Sequence, residues 1–249
     1  MPDVVVEADG GRLHFRHLEW DTAFFGRPSY ILDPDRSSMR ASALLGAAAS
    51  KALRGAFATV RVDSAADPAP LLMLQSNGFY YVDTSVTLRL DPNAGLPALP
   101  DDLTVRVEEL VENRNLPYQE LGSVFTMTRF HFDPHVGKER ADKLWVEYLR
   151  NFRLSASARL FAAYCDESVA GAMTVVGRGE SMALSFVSVL DAHRGRHVGA
   201  RILRAIGAAC GSRELLTETQ IRNVAALNFY VRNGFRQVRA SRTVLHFWG

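Results

Sequence analysis

Two stretches in the second half of the chain hold residue types suited to chemistry. The first is Arg194-Gly195-Arg196-His197-Val198-Gly199-Ala200, which follows the apolar run Ser185–Leu190 and opens a new periodic run. A chain that leaves a strand, turns through arginine and glycine and enters a helix presents unpaired backbone N–H groups, and such groups bind anions. Gly195 and Gly199 let a phosphate approach the backbone, and Arg194 and Arg196 add positive charge. The arrangement suits a pyrophosphate. It is neither a G-x-x-x-x-G-K-[ST] loop nor a G-x-G-x-x-G turn, which argues against a triphosphatase or a dinucleotide fold. The second stretch is Gln220-Ile-Arg-Asn223 followed by Ala225-Ala-Leu-Asn-Phe-Tyr230-Val-Arg-Asn-Gly-Phe235. Asn223 stands where a helix N-cap belongs. Tyr230 offers a phenol on a helix face shared with Leu227 and Val231, a face equally suited to core packing.

The elements that position these residues follow from periodicity. Leu103–Val107 reads as a short strand, and Leu144, Tyr148 and Phe152 recur at helical spacing. Arg159–Tyr164 and Val169–Val176 read as a strand pair turning at Cys165–Ser168, and Ser181–Leu190 as a third strand. Val198, Ile202, Ile206 and Cys210 mark a helix, Leu215–Gln220 a strand, and Val224–Arg232 a helix stopped by Asn233-Gly234. Phe235–Trp248 reads as one closing strand, whose last part, Thr243–Trp248, is able to lie inside a sheet or to pair across a homodimer. Strands alternating with helices predict an α/β layer fold. Three prolines and a glycine between Asp91 and Pro100 predict a linker at 92–100, between an N-terminal domain at 1–91 and a C-terminal domain at 101–249.

The chain also echoes itself. At an offset of 156 residues, Leu71 falls on Leu227, Asn77 on Asn233, Gly78 on Gly234, Phe79 on Phe235, Val82 on Val238, Ser85 on Ser241 and Thr87 on Thr243. Leu74 falls on Tyr230 and Leu72 on Asn228, so a duplicated N-terminal copy is expected to be catalytically silent.

Composition excludes other classes. With 29 basic and 27 acidic residues and no long basic run, there is no electrostatic footprint for nucleic acid. Cys165 and Cys210 lie in apolar stretches, which predicts buried free thiols rather than a disulfide or a metal site. The N-terminus lacks the pattern of a signal peptide, and no apolar run reaches bilayer length, so a cytoplasmic protein without membrane contact is expected.

Arg-Gly-x-x-Val-Gly opening a helix, followed by Asn-x-x-Ala-x-x-x-Tyr-x-x-x-Gly-Phe, resembles the two cofactor motifs of the GNAT superfamily of acyl-CoA-dependent N-acyltransferases. In that family's Q/R-x-x-G-x-G/A pattern Arg194 and Gly199 fit the ends, while His197 departs from the middle glycine. More narrowly, Leu18–Gly26, Ser123–His131 and Thr219–Leu227 are similar to the TDP-fucosamine N-acetyltransferase type, whose members carry a truncated first half of the same fold. The resemblance implies a mixed, mostly antiparallel twisted sheet flanked by helices, with a degenerate N-terminal half-copy. It implies acetyl-CoA as co-substrate and a nucleotide-linked amino-dideoxy sugar as acceptor. Another amine (a protein N-terminus, a lysine, a polyamine or an antibiotic) and non-catalytic acyl-CoA binding are the alternatives.

By the same resemblance Tyr230 protonates the departing thiolate. Arg194, Gly195, Arg196, His197, Val198, Gly199 and Ala200 hold the pyrophosphate, while backbone groups at Val187 and Val189 pair with the pantetheine amides. Asn223 is expected to contact the pantetheine arm or to cap its helix, and Phe229 to line the channel or the core. Arg129, Phe130 and His131 fall where related enzymes bind the nucleotide-sugar. Arg129 could fork onto a diphosphate or lie in solvent. Phe130 could stack on a ring or join the core, and His131 could deprotonate the amine. Trp20, Phe24, Phe25 and Gly26 read as a structural cluster that could also shape the acceptor pocket; if the segment is extended, Phe24 and Phe25 point opposite ways.

Overall fold

The computed structural model describes residues 1–91, 96–100, 104–211 and 213–249. The first four residues of the expected linker and Leu103, the expected start of a strand, lie outside the described residues. In chain order the elements begin with β1 (Val4–Ala8), β2 (Gly11–His17), α1 (Glu19–Phe25), β3 (Ser29–Leu32), α2 (Ala43–Ala52), β4 (Phe57–Asp63), α3 (Ala69–Gln75) and β5 (Tyr80–Leu90). They continue with β6 (Val105–Leu110), α4 (Tyr118–Ser123), α5 (Lys138–Arg150), β7 (Ala158–Cys165), β8 (Ser168–Arg178) and β9 (Ser181–Val189). The last are α6 (Val198–Cys210), β10 (Leu215–Gln220), α7 (Val224–Arg232), β11 (Arg236–Gln237) and β12 (Arg242–Trp248).

The chain forms two compact units that do not follow chain order. The first comprises Met1–Ser85, Phe132–His135 and Ala240–Gly249, and the second Val86–His131 and Val136–Arg239. In the first unit the strand order is β1-β2-β3-β4-β12, ending on the first half of β5. Among its registered pairs only β3–β4 is parallel. Its core joins Leu13, Phe15, Leu45, Val60, Leu74 and Leu245. In the second unit the order runs from the second half of β5 through β10, β9, β8 and β7 to β6, with β11 beside β5. There β9–β10 is parallel, while β6–β7, β7–β8 and β8–β9 are antiparallel. One face packs against α6 and α7 through Met173, Val175, Leu184, Ile202, Ile206 and Tyr230. The other packs under α4 and α5 through Leu121, Leu149, Ala172 and Phe186. This is the mixed, mostly antiparallel α/β architecture expected from the sequence.

The closing strand differs from its expected form. Phe235–Trp248 is not one strand: β11 pairs Arg236–Gln237 with Arg89–Leu88, and β12 resumes at Arg242 opposite Ser85. On β5, residues 238–241 therefore have only Val86 and Thr87 opposite them, too short a stretch for the ladder to run through them. β12 is inside the sheet, in register with β4 from Arg242↔Asp63 to Trp248↔Phe57, so both of its edges are used within the chain. The aromatic segment Glu19–Phe25 is a helix rather than extended chain, closed by Gly26 at φ 67°. Trp20 stacks on Phe24 one turn away, and Phe25 is buried against Phe57 and Trp248.

The echo extends over whole elements. The same offset places β1, β2, β3, α2, β4 and α3 on β7, β8, β9, α6, β10 and α7. The two helix stops share a conformation. Asn77 Nδ2 donates to Met73 O and Asn233 Nδ2 to Phe229 O, both at 2.8 Å. Gly78 and Gly234 are left-handed at φ 88° and 86°, the conformation that favours glycine. Among the described residues no helix is long and apolar enough to cross a membrane.

Candidate active site

The site begins where two parallel strands part. β10 pairs with β9 at Leu215↔Met182, Leu216↔Ala183 and Thr217↔Leu184, and the register ends there although β9 runs on to Val189 and β10 to Gln220. The other edge of β9 stays paired to β8 as far as Gly171↔Val189. Beyond Leu184, then, the backbone of Val187 and Val189 has a neighbour on one side and an unladdered edge on the other, among the described residues. Backbone donors and acceptors inside a protein need partners, and an open strand edge takes an extended amide chain as an added strand.

Past Val189 the chain turns into α6. Gly195 is left-handed at φ 77°, with open space where a Cβ would stand. His197 is the N-cap of α6 and is itself left-handed, at φ 59° and ψ 13°, with its side chain exposed. This explains why a glycine suits that place: the backbone there turns through the left-handed region, which histidine enters only at a cost. No side chain caps the first N–H groups of α6 among the described residues. The echoing helix α2 differs, since Ser42 caps Leu45 N–H. Val198 stands at the echo of Ser42, so one helix start is closed and the other open. Arg194 pairs with Asp191 at 2.8 Å, and Arg196 Nη2 donates to Thr104 Oγ1 at 3.4 Å. Farther along α6, Arg201 and Arg204 bond the carbonyls of Pro100 and Pro97, which fastens Leu96–Pro100 along the helix.

Gly199 also serves the packing of α7. It is buried, and a Cβ there would stand 2.9 Å from the ring of Phe229 and 3.5 Å from Val189 Cγ2. Its missing side chain makes room for Phe229, which packs α7 against the start of α6. Val198 and Ala200 are buried as well. Asn223 caps α7, its side chain accepting from Ala226 N–H at 3.0 Å. Phe229 is half-buried and lies 5.3 Å from the Tyr230 ring.

Tyr230 is 4% exposed, with the Thr217 side chain as its hydrogen-bonding neighbour. Thr217 belongs to the last β9–β10 pair, so the phenol lies at the vertex of the parted strands. Burial pushes its pKa up to about 12, against the smaller lowering effect of Thr217. Val231, expected on the same face, is 59% exposed. The expected substrate residues lie after α4. Arg129 stacks on the ring of Phe130 at 4.3 Å, and Phe130 is buried. His131 is held by Thr128 Oγ1 at 2.8 Å and by Asp142 Oδ1 at 3.1 Å.

Thr217 was not singled out from the sequence, nor were Ser185 and Thr174, whose hydroxyls lie 2.8 Å apart at an irregularity in the β8–β9 ladder. A threonine in Leu215–Gln220 is an ordinary strand residue, and a bulge leaves no mark in composition. A buried cluster in the first unit was equally silent. There Asp133 accepts from Tyr80 Oη at 3.0 Å and from His135 N–H at 2.8 Å, and it pairs with His246 Nδ1 at 2.5 Å. A histidine inside the apolar run Thr243–Trp248 was the one signal that could have revealed it.

Residues 156–237 match the acetyltransferase (GNAT) domain family. The spore coat polysaccharide biosynthesis protein SpsD of Bacillus subtilis (strain 168) is 25% identical over 127 residues, 50% of this chain and 44% of that protein. The match thus spans less than half of that relative. Among solved structures, a conserved protein of unknown function from Staphylococcus epidermidis has a TM-score of 0.67 at 11% identity, covering 99% of this chain and 94% of that one. The GCN5-related N-acetyltransferase from Kribbella flavida has 0.64 at 15%, covering 99% and 89%. A tandem GNAT protein from the clavulanic acid biosynthesis pathway has 0.57 at 18%, covering 98% and 83%. At such identities these likenesses establish the fold. The residues matched by the acetyltransferase (GNAT) domain family include Val187, Val189, Arg194–Ala200, Asn223 and Tyr230 of the candidate site.

Proposed function

We propose that this chain transfers the acetyl group of acetyl-CoA to a primary amine, and that the amine is carried on a nucleotide-linked amino-dideoxy sugar. The observation that carries the first part is the parting of β9 from β10 with the Tyr230 phenol at its vertex and an uncapped helix start beyond it. The open edge at Val187 and Val189 offers N–H and C=O groups to the pantetheine amides. The N–H groups between Gly195 and Ala200, with Arg194 and Arg196 beside them, offer a seat for the pyrophosphate.

Transfer needs the amine and the thioester held in register, and most of the rate gain follows from that placement. The amine lone pair attacks the carbonyl carbon, the C–N bond forms, and the C–S bond breaks. Backbone N–H groups of β9 polarise the carbonyl, and Tyr230 supplies a proton to the sulfur. With its pKa pushed up to about 12, Tyr230 stays protonated over any working pH and is always poised as donor. A thiolate leaving into the same apolar surroundings is itself made more basic than its ordinary value near 8.5, which narrows the gap.

The sugar acceptor draws support from the SpsD relative, a polysaccharide biosynthesis protein, and from the resemblance of residues 18–26, 123–131 and 219–227. Arg129 is the proposed diphosphate contact, with Phe130 and His131 shaping its seat. The first 91 residues are proposed as a silent half-copy: Leu74 stands for Tyr230, and Ser42 closes the start of α2. We place the activity in the cytoplasm. The test is release of free thiol from acetyl-CoA across a panel of amines, with thermal shift by thymidine diphosphate. Thiol release with amino sugars and stabilisation by the nucleotide are expected. Turnover of lysine or polyamine alone would replace the sugar reading.

A further inference from the structure

We propose that Ser185 is the residue that receives the acceptor amine and that Thr174 positions it. The assignment rests on the acetyl-transfer reading above. In the β8–β9 ladder Thr174 pairs with Phe186 and Val175 with Leu184, so Ser185 is an extra residue, a bulge. A bulge frees one residue from the ladder and re-aims its side chain. Ser185 also follows Leu184, the last residue of β9 paired to β10. It therefore sits where the two strands part.

The two sides of this vertex differ. Met173 and Val175 belong to the core under α6 and α7, together with Leu184 and Tyr230. Ala172 and Phe186 belong to the core under α4 and α5. Thr174, between Met173 and Val175 on β8, faces the α4–α5 side, and its Oγ1 lies 2.8 Å from Ser185 Oγ. The Ser185 hydroxyl and the Tyr230 phenol thus stand on opposite faces of the sheet at one point. An amine entering beside Ser185 meets the carbonyl from one face while the sulfur departs toward Tyr230 on the other.

Thr174 is wholly buried, and Ser185 is half-buried. In this assignment the buried Thr174 hydroxyl donates its proton to Ser185 Oγ, 2.8 Å away. Ser185 then keeps its own proton and one lone pair for whatever lies in front of it. That lone pair accepts an N–H of the neutral amine and turns the nitrogen lone pair toward the carbonyl. As the C–N bond forms, the amine proton passes to Ser185 Oγ while the serine proton moves on to solvent, leaving the hydroxyl as it began. The C–S electron pair goes to sulfur with the proton from Tyr230, which is restored from solvent. A hydroxyl cannot deprotonate an ammonium ion, so the acceptor enters as the free amine.

The test uses the full chain. In the wild type, the acid limb of kcat/KM is expected to move with the acceptor's own pKa when amines of different basicity are compared. Ser185→Ala is expected to lower kcat/KM for the amine about tenfold to a hundredfold with acetyl-CoA affinity unchanged by calorimetry. Thr174→Val, nearly isosteric, is expected to move kcat the same way by less, and Thr174→Ser to restore it. Full activity of Ser185→Ala would overturn the assignment. So would loss of acetyl-CoA affinity in step with loss of turnover, or an acid limb that stays fixed across amines. A wild-type chain that releases no thiol with any amine removes the transferase reading, and this assignment with it. Wild-type turnover with an unaffected Ser185→Ala removes this assignment alone.

Discussion

Tyr230 and His197 show how a residue's surroundings set its use. Tyr230→Phe removes the phenol hydroxyl beside Thr217, and kcat is expected to fall about 10²- to 10⁴-fold. Acetyl-CoA affinity should stay nearly intact, as calorimetry beside steady-state kinetics would report. The raised pKa also sets an alkaline signature. Because the folded state holds this proton more tightly than the unfolded chain, the stabilisation is complete below pH 10 and lost as pH rises from 10 toward about 12. Chemical denaturation across that window should show wild type losing stability that Tyr230→Phe does not. His197 holds a left-handed conformation with its side chain exposed. His197→Gly should therefore stabilise the chain by about 1 kcal/mol and leave acetyl-CoA binding equal or tighter. A lower melting temperature would show that the imidazole contributes a contact of its own.

At the scale of elements, Asp133 matters through the pieces it joins. It lies in the short stretch Phe132–His135, which belongs to the first unit, and it meets Tyr80 on β5 and His246 on β12. Burial opposes its charge, but hydrogen bonds from His246, from His135 N–H and from Tyr80 outweigh burial and hold its carboxyl below the usual carboxylate range. Tyr80 moves the other way: burial first, then the Asp133 charge, raises its pKa. Asp133→Ala leaves a buried histidine and a phenol without this partner, and should cost about 3–5 kcal/mol in urea unfolding. For a carboxylate with a depressed folded pKa the contribution is present above its ordinary value, near 4, and lost on acidification below it. Wild type should thus lose more stability than Asp133→Ala as pH falls below about 4. Equal losses would mean that the pair adds nothing.

At the scale of the whole molecule, each compact unit takes material from distant parts of the chain. β12 arrives last in sequence yet stands between β4 and β5 in the first unit, adding Leu245 and Phe247 to its core. The second half of β5 lies beside β10 and β11 in the second unit, where Val86, Leu88 and Leu90 join the core. A chain ending at Arg239 should therefore fail to form the first unit, since two large buried side chains alone contribute about 2 kcal/mol each and the ladder of β4 is lost. A fragment of residues 101–249 lacks β5 and should be insoluble or unfolded by circular dichroism. A stable, cooperatively melting fragment would show that the boundary at 92–100 separates units able to fold alone.

Much of this molecule was legible in its sequence because periodicity and turn chemistry are local. The strand pair turning at Cys165–Ser168, the helix from Val198 and the Asn-Gly-Phe stops at 77–79 and 233–235 all follow from residues within one or two turns of each other. The motif at 194–200 and the Asn223–Tyr230 spacing pointed to the candidate site for the same reason. Tertiary structure decided what depends on residues far apart. It broke the closing strand, because residues 238–241 have only two partners on β5. It packed Phe229 against the missing Cβ of Gly199, and it curled Trp20 and Phe24 into a helix. It set Thr174 beside Ser185 through a ladder irregularity that no single strand encodes. A bulge exists only between two strands, and a vertex only where two strands separate, so neither can be read from one strand's own residues.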